Sequence, residues 1–209
     1  MIKLLIADDH NIFRDGLKRI FSDTPDIVAA AEAATGHEAL ELMRTQDWDV
    51  VLLDINLPGK SGLEVLKQIK AEKPNLPVVI LSMYPEDQYA IRAIKQGASG
   101  YLCKDADADE LLAAIRKTAA GGRYASRTLT DHLLHSLYGN QQHPHTQLSD
   151  REHLVFRHIV AGKSLTDIAQ TLSLSIKTIS TYRARLMEKM GMSSNAELIR
   201  YALEHQLFD

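Results

Sequence analysis

The chain has 209 residues, 45% hydrophobic and 24% charged, with a formal net charge of −3. This is a globular composition with room for one large or two small domains, and it excludes a uniformly basic nucleic-acid binder, leaving only a local basic element. A single cysteine, Cys103, excludes an intramolecular disulfide and a cysteine-rich zinc site, and no apolar run reaches the ~18 residues of a membrane helix.

The N-terminus reads Met1-Ile-Lys-Leu-Leu-Ile-Ala-Asp-Asp9. It meets two carboxylates without a cleavage site, so no secretory signal is expected and the expected location is the cytoplasm. Short apolar runs follow at 3–7, 27–31, 50–53, 78–81 and 100–103, and read as strands buried on both faces. Helical patterns lie between them. In 61–72, Leu63, Leu66 and Ile69 have helical spacing, and Ser61 with Glu64 forms a capping box. The helix at 107–119 opens with Asp107 and Glu110 and stops at Gly121-Gly122. Repeated strand–helix units predict an α/β fold, a doubly wound five-stranded parallel sheet with right-handed crossovers.

Residues 124–138 carry Leu129, Leu133, Leu134 and Leu137 as one weak amphipathic helix. The polar stretch 139–147 contains a proline, lacks periodicity and reads as a flexible linker. From Leu148 the pattern is all-α. Ser149 (boxed with Glu152), Ser164, Ser175 and Ser194 (boxed with Glu197) open four helices ending near Ala161, Thr171, Met190 and His205. The pair 164–171 and 175–190 has helix-turn-helix dimensions. The expected boundaries are 1–121 for the first domain, 122–147 for a linker with a weak helix, and 148–209 for the second.

Asp8 and Asp9 end the first predicted strand and Asp54 ends the third. In a doubly wound sheet these ends share one crevice. Three carboxylates there repel one another and either raise their pKa values or recruit a cation. Oxygen ligands and retained water suit Mg²⁺. Ser82 ends the fourth strand and Lys104 follows the fifth, adding a hydroxyl and an ammonium suited to a phosphoryl group. The plain alternative for each acid is a solvated strand end.

The helix 175–190 holds Lys177, Arg183, Arg185 and Lys189 against the single acid Glu188. Ile176, Ile179, Leu186 and Met190 should face the core. Lys177, Ser180, Thr181, Ala184 and Arg185 remain on the other face. Cations with short polar side chains suit a helix lying in the DNA major groove, and Ser175 leaves backbone N–H groups for a phosphate. The plain alternative is a basic solvated face.

The first half resembles the receivers of two-component response regulators. The matching residues are Asp8-Asp9, Asp54 followed by Leu57-Pro58-Gly59, Ser82, and Tyr101-Leu-Cys-Lys104. The resemblance implies strand order 2-1-3-4-5 and phosphoryl transfer from a sensor histidine kinase, or a phosphotransfer protein, to Asp54 as nucleophile. It implies Mg²⁺ held by Asp8, Asp9, Asp54 and the Asn56 carbonyl, and a phosphoryl group bound by Ser82 and Lys104. Tyr101 would turn inward on phosphorylation; otherwise it is a half-buried aromatic with a wet hydroxyl. Many receivers have proline after the lysine, where this chain has Asp105.

The second half resembles the LuxR/FixJ (NarL-type) output domain from Leu148-Ser-Asp-Arg-Glu152 through Gly162, Ile168-Ala169, Leu172, Ser175, Lys177-Thr178-Ile179 and Lys189-Met190 to Glu197-Leu198-Ile199. It implies DNA contacts from Ser175, Lys177, Thr178, Ser180, Thr181, Ala184, Arg185 and Lys189. A homodimer using the last helix would read an inverted repeat of double-stranded promoter DNA. The implied whole is a phosphorylation-activated transcription regulator and not an enzyme. Two other readings stand beside it. One is a dimeric DNA-binding regulator indifferent to phosphorylation. The other is an aspartyl-phosphate phosphohydrolase, which Asp54-Ile-Asn56 resembles in part. The histidine pairs His132/His135 and His143/His145 lack supporting ligands, and Cys103 reads as a small core residue.

Overall fold

The structure is a computed structural model that describes residues 1–83, 86–126, 129–130, 144–205 and 207. His132, His135, His143, and most of the helix expected at 124–138 and of the linker expected at 139–147 lie outside these residues. The chain divides into two compact units, Met1–Gly139 and Asn140–Asp209.

The first unit runs β1 (Ile2–Ala7), α1 (Asn11–Ser22), β2 (Ile27–Ala33), α2 (Gly36–Thr45), β3 (Val50–Asp54), α3 (Gly62–Glu72), β4 (Val78–Ser82), α4 (Glu86–Lys95), β5 (Gly100–Cys103) and α5 (Ala108–Ala119). The strands form one parallel sheet in the order β2-β1-β3-β4-β5. Every residue of β3 and β4 is buried, which accounts for their unbroken apolar sequence, whereas edge strand β2 keeps exposed or half-buried residues. Ser61 and Glu64 form the expected capping box on α3, and Asp107 caps α5 by accepting the Glu110 N–H. The strand ends extend one residue further than the apolar runs at β3 and β4, because Asp54 and Ser82 keep ladder pairing. The chain does not leave this unit at Gly122. Tyr124 N–H donates to Ser99 O at 2.8 Å, and its hydroxyl donates to Glu110 at 2.7 Å.

The second unit holds a 3₁₀ turn (Pro144–Gln147), α6 (Asp150–Val160), α7 (Leu165–Thr171), α8 (Ile176–Met190) and α9 (Asn195–Glu204). The 3₁₀ turn corrects the linker reading for residues 144–147. His145 Nδ1 lies 2.9 Å from the Tyr201 hydroxyl, which ties the turn to α9. Capping boxes form at Ser149/Glu152 and Ser164/Asp167. The box expected at Ser194/Glu197 does not form. Ser194 caps the helix, but the Glu197 carboxylate takes the Ser193 N–H (2.8 Å) and hydroxyl instead. The core joins Val155, Phe156, Ile159, Ile168, Ile179, Leu186 and Leu198.

Candidate functional site

β1 and β3 pair side by side, so the residues that end them share one crevice. Asp8 is 0% exposed and Asp54 1% exposed. Lys104, carried just past β5, reaches into the crevice with its Nζ 2.6 Å from Asp8 Oδ2 and 2.8 Å from Asp54 Oδ2. The Lys104 ammonium also lies 4.8 Å from the centre of the Phe13 ring. Asp54 Oδ1 accepts the Asn56 N–H at 3.2 Å. Burial raises the Asp54 pKa, and the Asp8 charge adds to this, while Lys104 and the Asn56 N–H pull it back. The crevice thus holds a desolvated carboxylate that one lysine keeps in balance.

Asp9 is exposed, the outermost of the three acids. Ser82 closes β4 fully buried, and its carbonyl accepts the Lys104 N–H at 2.7 Å. Tyr101 is fully buried in β5, not half-buried with a wet hydroxyl. Among the described residues there is no cis peptide bond, so Asp105 follows Lys104 through a trans peptide. Cys103 is half-buried rather than a core residue, and burial raises its thiol pKa.

Three residues of the crevice escaped the sequence reading. Gly62 is one: a Cβ there would sit 2.0 Å from the Asp54 carbonyl oxygen, so the loop after β3 folds this closely only with glycine. Arg14 donates to the Asp8 carbonyl and to Glu32. His10 places Nδ1 2.9 Å from Asp9 Oδ1 and 3.1 Å from Asp8 Oδ1. Its position directly after Asp8-Asp9 was the available signal. Asp8, Asp9, His10 and Asp54 each offer a ligand atom within 4.8 Å of the others. Asp8 Oδ2 is ion-paired with Lys104 but has no contact of hydrogen-bond geometry. A buried carboxylate oxygen with lone pairs to spare, among oxygen donors, fits a hard divalent cation.

In the second unit, α8 follows α7 through a tight turn in which Ser173 has φ +52°. Ser175 caps α8 by accepting the Thr178 N–H at 3.1 Å, and Gly191 ends the helix in the left-handed region. Ile179, Leu186, Met187 and Met190 face the core. Ile176 does not, being 49% exposed. Lys177, Ser180, Thr181, Ala184 and Arg185 are all exposed, and Thr178 is half-buried. Lys189 stands apart. Its Nζ lies 2.6 Å from the buried Glu152 carboxylate, an ion pair inside the unit. Arg183 is likewise tied, donating to Asn195 at 2.9 Å.

Residues 4–116 match the family described as the response regulator receiver domain, and residues 146–202 match the bacterial regulatory proteins of the luxR family. The response regulator GacA of Pseudomonas aeruginosa is 36% identical over the whole of this chain and 99% of its own length. This chain belongs to the LuxR-family two-component response regulators. The response regulator UvrY of Escherichia coli is 32% identical across 99% of this chain and 96% of its own. A crystal form of the Salmonella typhimurium response regulator RcsB, solved in a study of its DNA interaction, is 25% identical with a TM-score of 0.58, covering 97% of this chain and 98% of its own. In this response regulator the acidic crevice falls within the receiver match, and α7 and α8 fall within the luxR match. No helix among the described residues is long and apolar enough to cross a membrane.

Proposed function

We propose that this response regulator is switched by phosphoryl transfer to Asp54 and reads promoter DNA with α8. The observation that carries it is the pairing of one lysine with two buried carboxylates at adjacent strand ends. Asp54 attacks the phosphorus of a phosphohistidine on a sensor kinase or phosphotransfer protein. An O–P bond forms, the P–N bond breaks, and the imidazole leaves. Asp8, Asp9, Asp54 and the Asn56 carbonyl are the residues to hold Mg²⁺, which when bound offsets charge on the transferring group. Lys104 then exchanges the Asp54 carboxylate for a phosphoryl oxygen, Ser82 donates its hydroxyl, and Tyr101 follows Ser82 as the switch.

On the output side, Lys177 and Arg185 meet phosphates. Ser175 and Thr178 frame the helix start, and Ser180, Thr181 and Ala184 lie nearest the bases. Lys189 contributes less than its charge suggests, since Glu152 already holds it. Two copies related by a dyad suit an inverted repeat. The work is regulation in the cytoplasm, not multiple-turnover catalysis, with the receiver in the unit Met1–Gly139 and the output domain in the unit Asn140–Asp209.

The test is selection of sites from a random DNA library with and without beryllofluoride and Mg²⁺. Enrichment of an inverted repeat that depends on the phosphoryl mimic, and is lost in Asp54→Asn, is expected. Equal enrichment without the mimic supports regulation indifferent to phosphorylation.

A further inference from the structure

The acidic crevice contains a nitrogen donor that Mg²⁺ binding does not require. His10 follows Asp8-Asp9 and stands at the N-cap of α1, where its side chain makes no capping hydrogen bond. Its backbone N–H donates to Asp8 Oδ1 at 2.8 Å, which turns the residue back toward the crevice. The imidazole Nδ1 then lies 3.1 Å from Asp8 Oδ1, 2.9 Å from Asp9 Oδ1 and 3.8 Å from Asp54 Oδ2. One ligand atom from each of the four residues falls within 4.8 Å of the rest. The Asp8 side chain is fully buried, and its Oδ2 is ion-paired with the Lys104 ammonium at 2.6 Å. The His10 side chain is 58% exposed and that of Asp9 34%, so the cluster is open to an incoming ion on that side.

We propose that His10 is a metal ligand of this receiver, and that it makes the crevice prefer a first-row transition cation of the Co²⁺/Zn²⁺ class over Mg²⁺. Mg²⁺ is hard, keeps several waters and binds through one or two carboxylates, so it gains nothing from an imidazole. Imidazole favours Co²⁺ and Zn²⁺, and the order of affinities for a mixed nitrogen and oxygen site rises toward them. The inference rests on the reading of the crevice as a metal site.

Calorimetric titration of the full chain with Co²⁺ and with Mg²⁺, read beside the visible absorption of the Co²⁺ form, separates the two ideas. The chain is expected to bind Co²⁺ at least about tenfold more tightly than Mg²⁺; His10→Asn lowers Co²⁺ affinity about tenfold, changes Mg²⁺ affinity by less than about twofold, and alters the Co²⁺ spectrum. An unchanged Co²⁺ affinity and spectrum in His10→Asn, or equal losses for both ions, overturns the proposal and leaves His10 as an ion-pairing residue only. Absence of binding by either ion, or affinities unmoved by Asp54→Asn, overturns the metal reading of the crevice itself. Thermal melting of His10→Asn, with His10→Gln as a second variant, confirms that a lost affinity is not a lost fold.

Discussion

The receiver crevice and the exposed face of α8 both gather charge, but in opposite ways. In the crevice, Asp8, Asp54 and Lys104 are withdrawn from water, the one ammonium lying 2.6 and 2.8 Å from the two carboxylates. On α8, Lys177 and Arg185 stand in solvent with Ser180, Thr181 and Ala184 between them. Buried charges act as a unit, because removing the lysine leaves both carboxylates desolvated without a counter-charge. Exposed charges act nearly independently, and salt screens them. The first arrangement suits a switch with two states. The second suits a graded, salt-dependent grip on a polyanion.

The strongest way to break this contrast is Asp54→Asn. It should abolish phosphorylation by a small phosphoryl donor, seen as loss of the shifted band on a phosphate-affinity gel. It should leave thermal stability close to that of the parent, because Lys104 keeps Asp8 as its partner. Persistent phosphorylation would mean another residue is the acceptor. Lys104→Met tests the same unit from the other side. Two buried carboxylates lose their counter-charge, and a loss of about 3 kcal/mol is expected in urea unfolding. A loss under about 1 kcal/mol would show that water reaches the crevice and that the charges are not coupled.

The helix sharpens the comparison with smaller effects. Arg185→Ala and Lys177→Ala should each weaken DNA binding roughly tenfold and lower the slope of log K against log salt by about one. Lys189→Met should barely change that slope, but should destabilise the second unit by about 1 kcal/mol as Glu152 loses its partner. A full unit of slope from Lys189 would return it to the DNA contacts.

The smallest effect is one of pH. Burial, ahead of the charges of Lys163 and Arg157, pushes the His158 imidazole from 6.5 down to about 4. Its folded pKa lies below the unfolded one. The stability it confers is complete above about pH 6.5 and is lost as the pH falls toward 4. Calorimetry of the full chain should show a transition that weakens by about 1–2 kcal/mol between pH 7 and 5. His158→Gln should flatten that dependence.

Much of the receiver was legible because its chemistry lies at strand ends. An apolar run stops where a polar side chain begins, so Asp8, Asp9, Asp54, Ser82 and Lys104 announce themselves at the ends of runs. The caps of α3, α5, α6, α7 and α8 were legible for the same local reason, since a serine or aspartate three residues before its N–H partner is a one-turn pattern. Glu197 shows the limit of such patterns. Its N–H donates to the Ser194 hydroxyl while its carboxylate accepts the Ser193 N–H, and sequence alone does not choose which serine N–H the carboxylate takes.

What the sequence determined by itself was the alternation of elements, the identity of the strand-end residues and the basic bias of α8. These depend on hydrophobic period and on neighbours within a few positions. The tertiary structure alone decided that Lys104 bridges Asp8 and Asp54, that His10 turns back into the acids, and that Gly62 lies against the Asp54 carbonyl. It also decided that Lys189 is held by Glu152 while Ile176 faces solvent. The two lysine pairings depend on elements meeting across tens of residues. Packing and the avoidance of unpaired buried charge choose such meetings, and no local pattern along the chain records them.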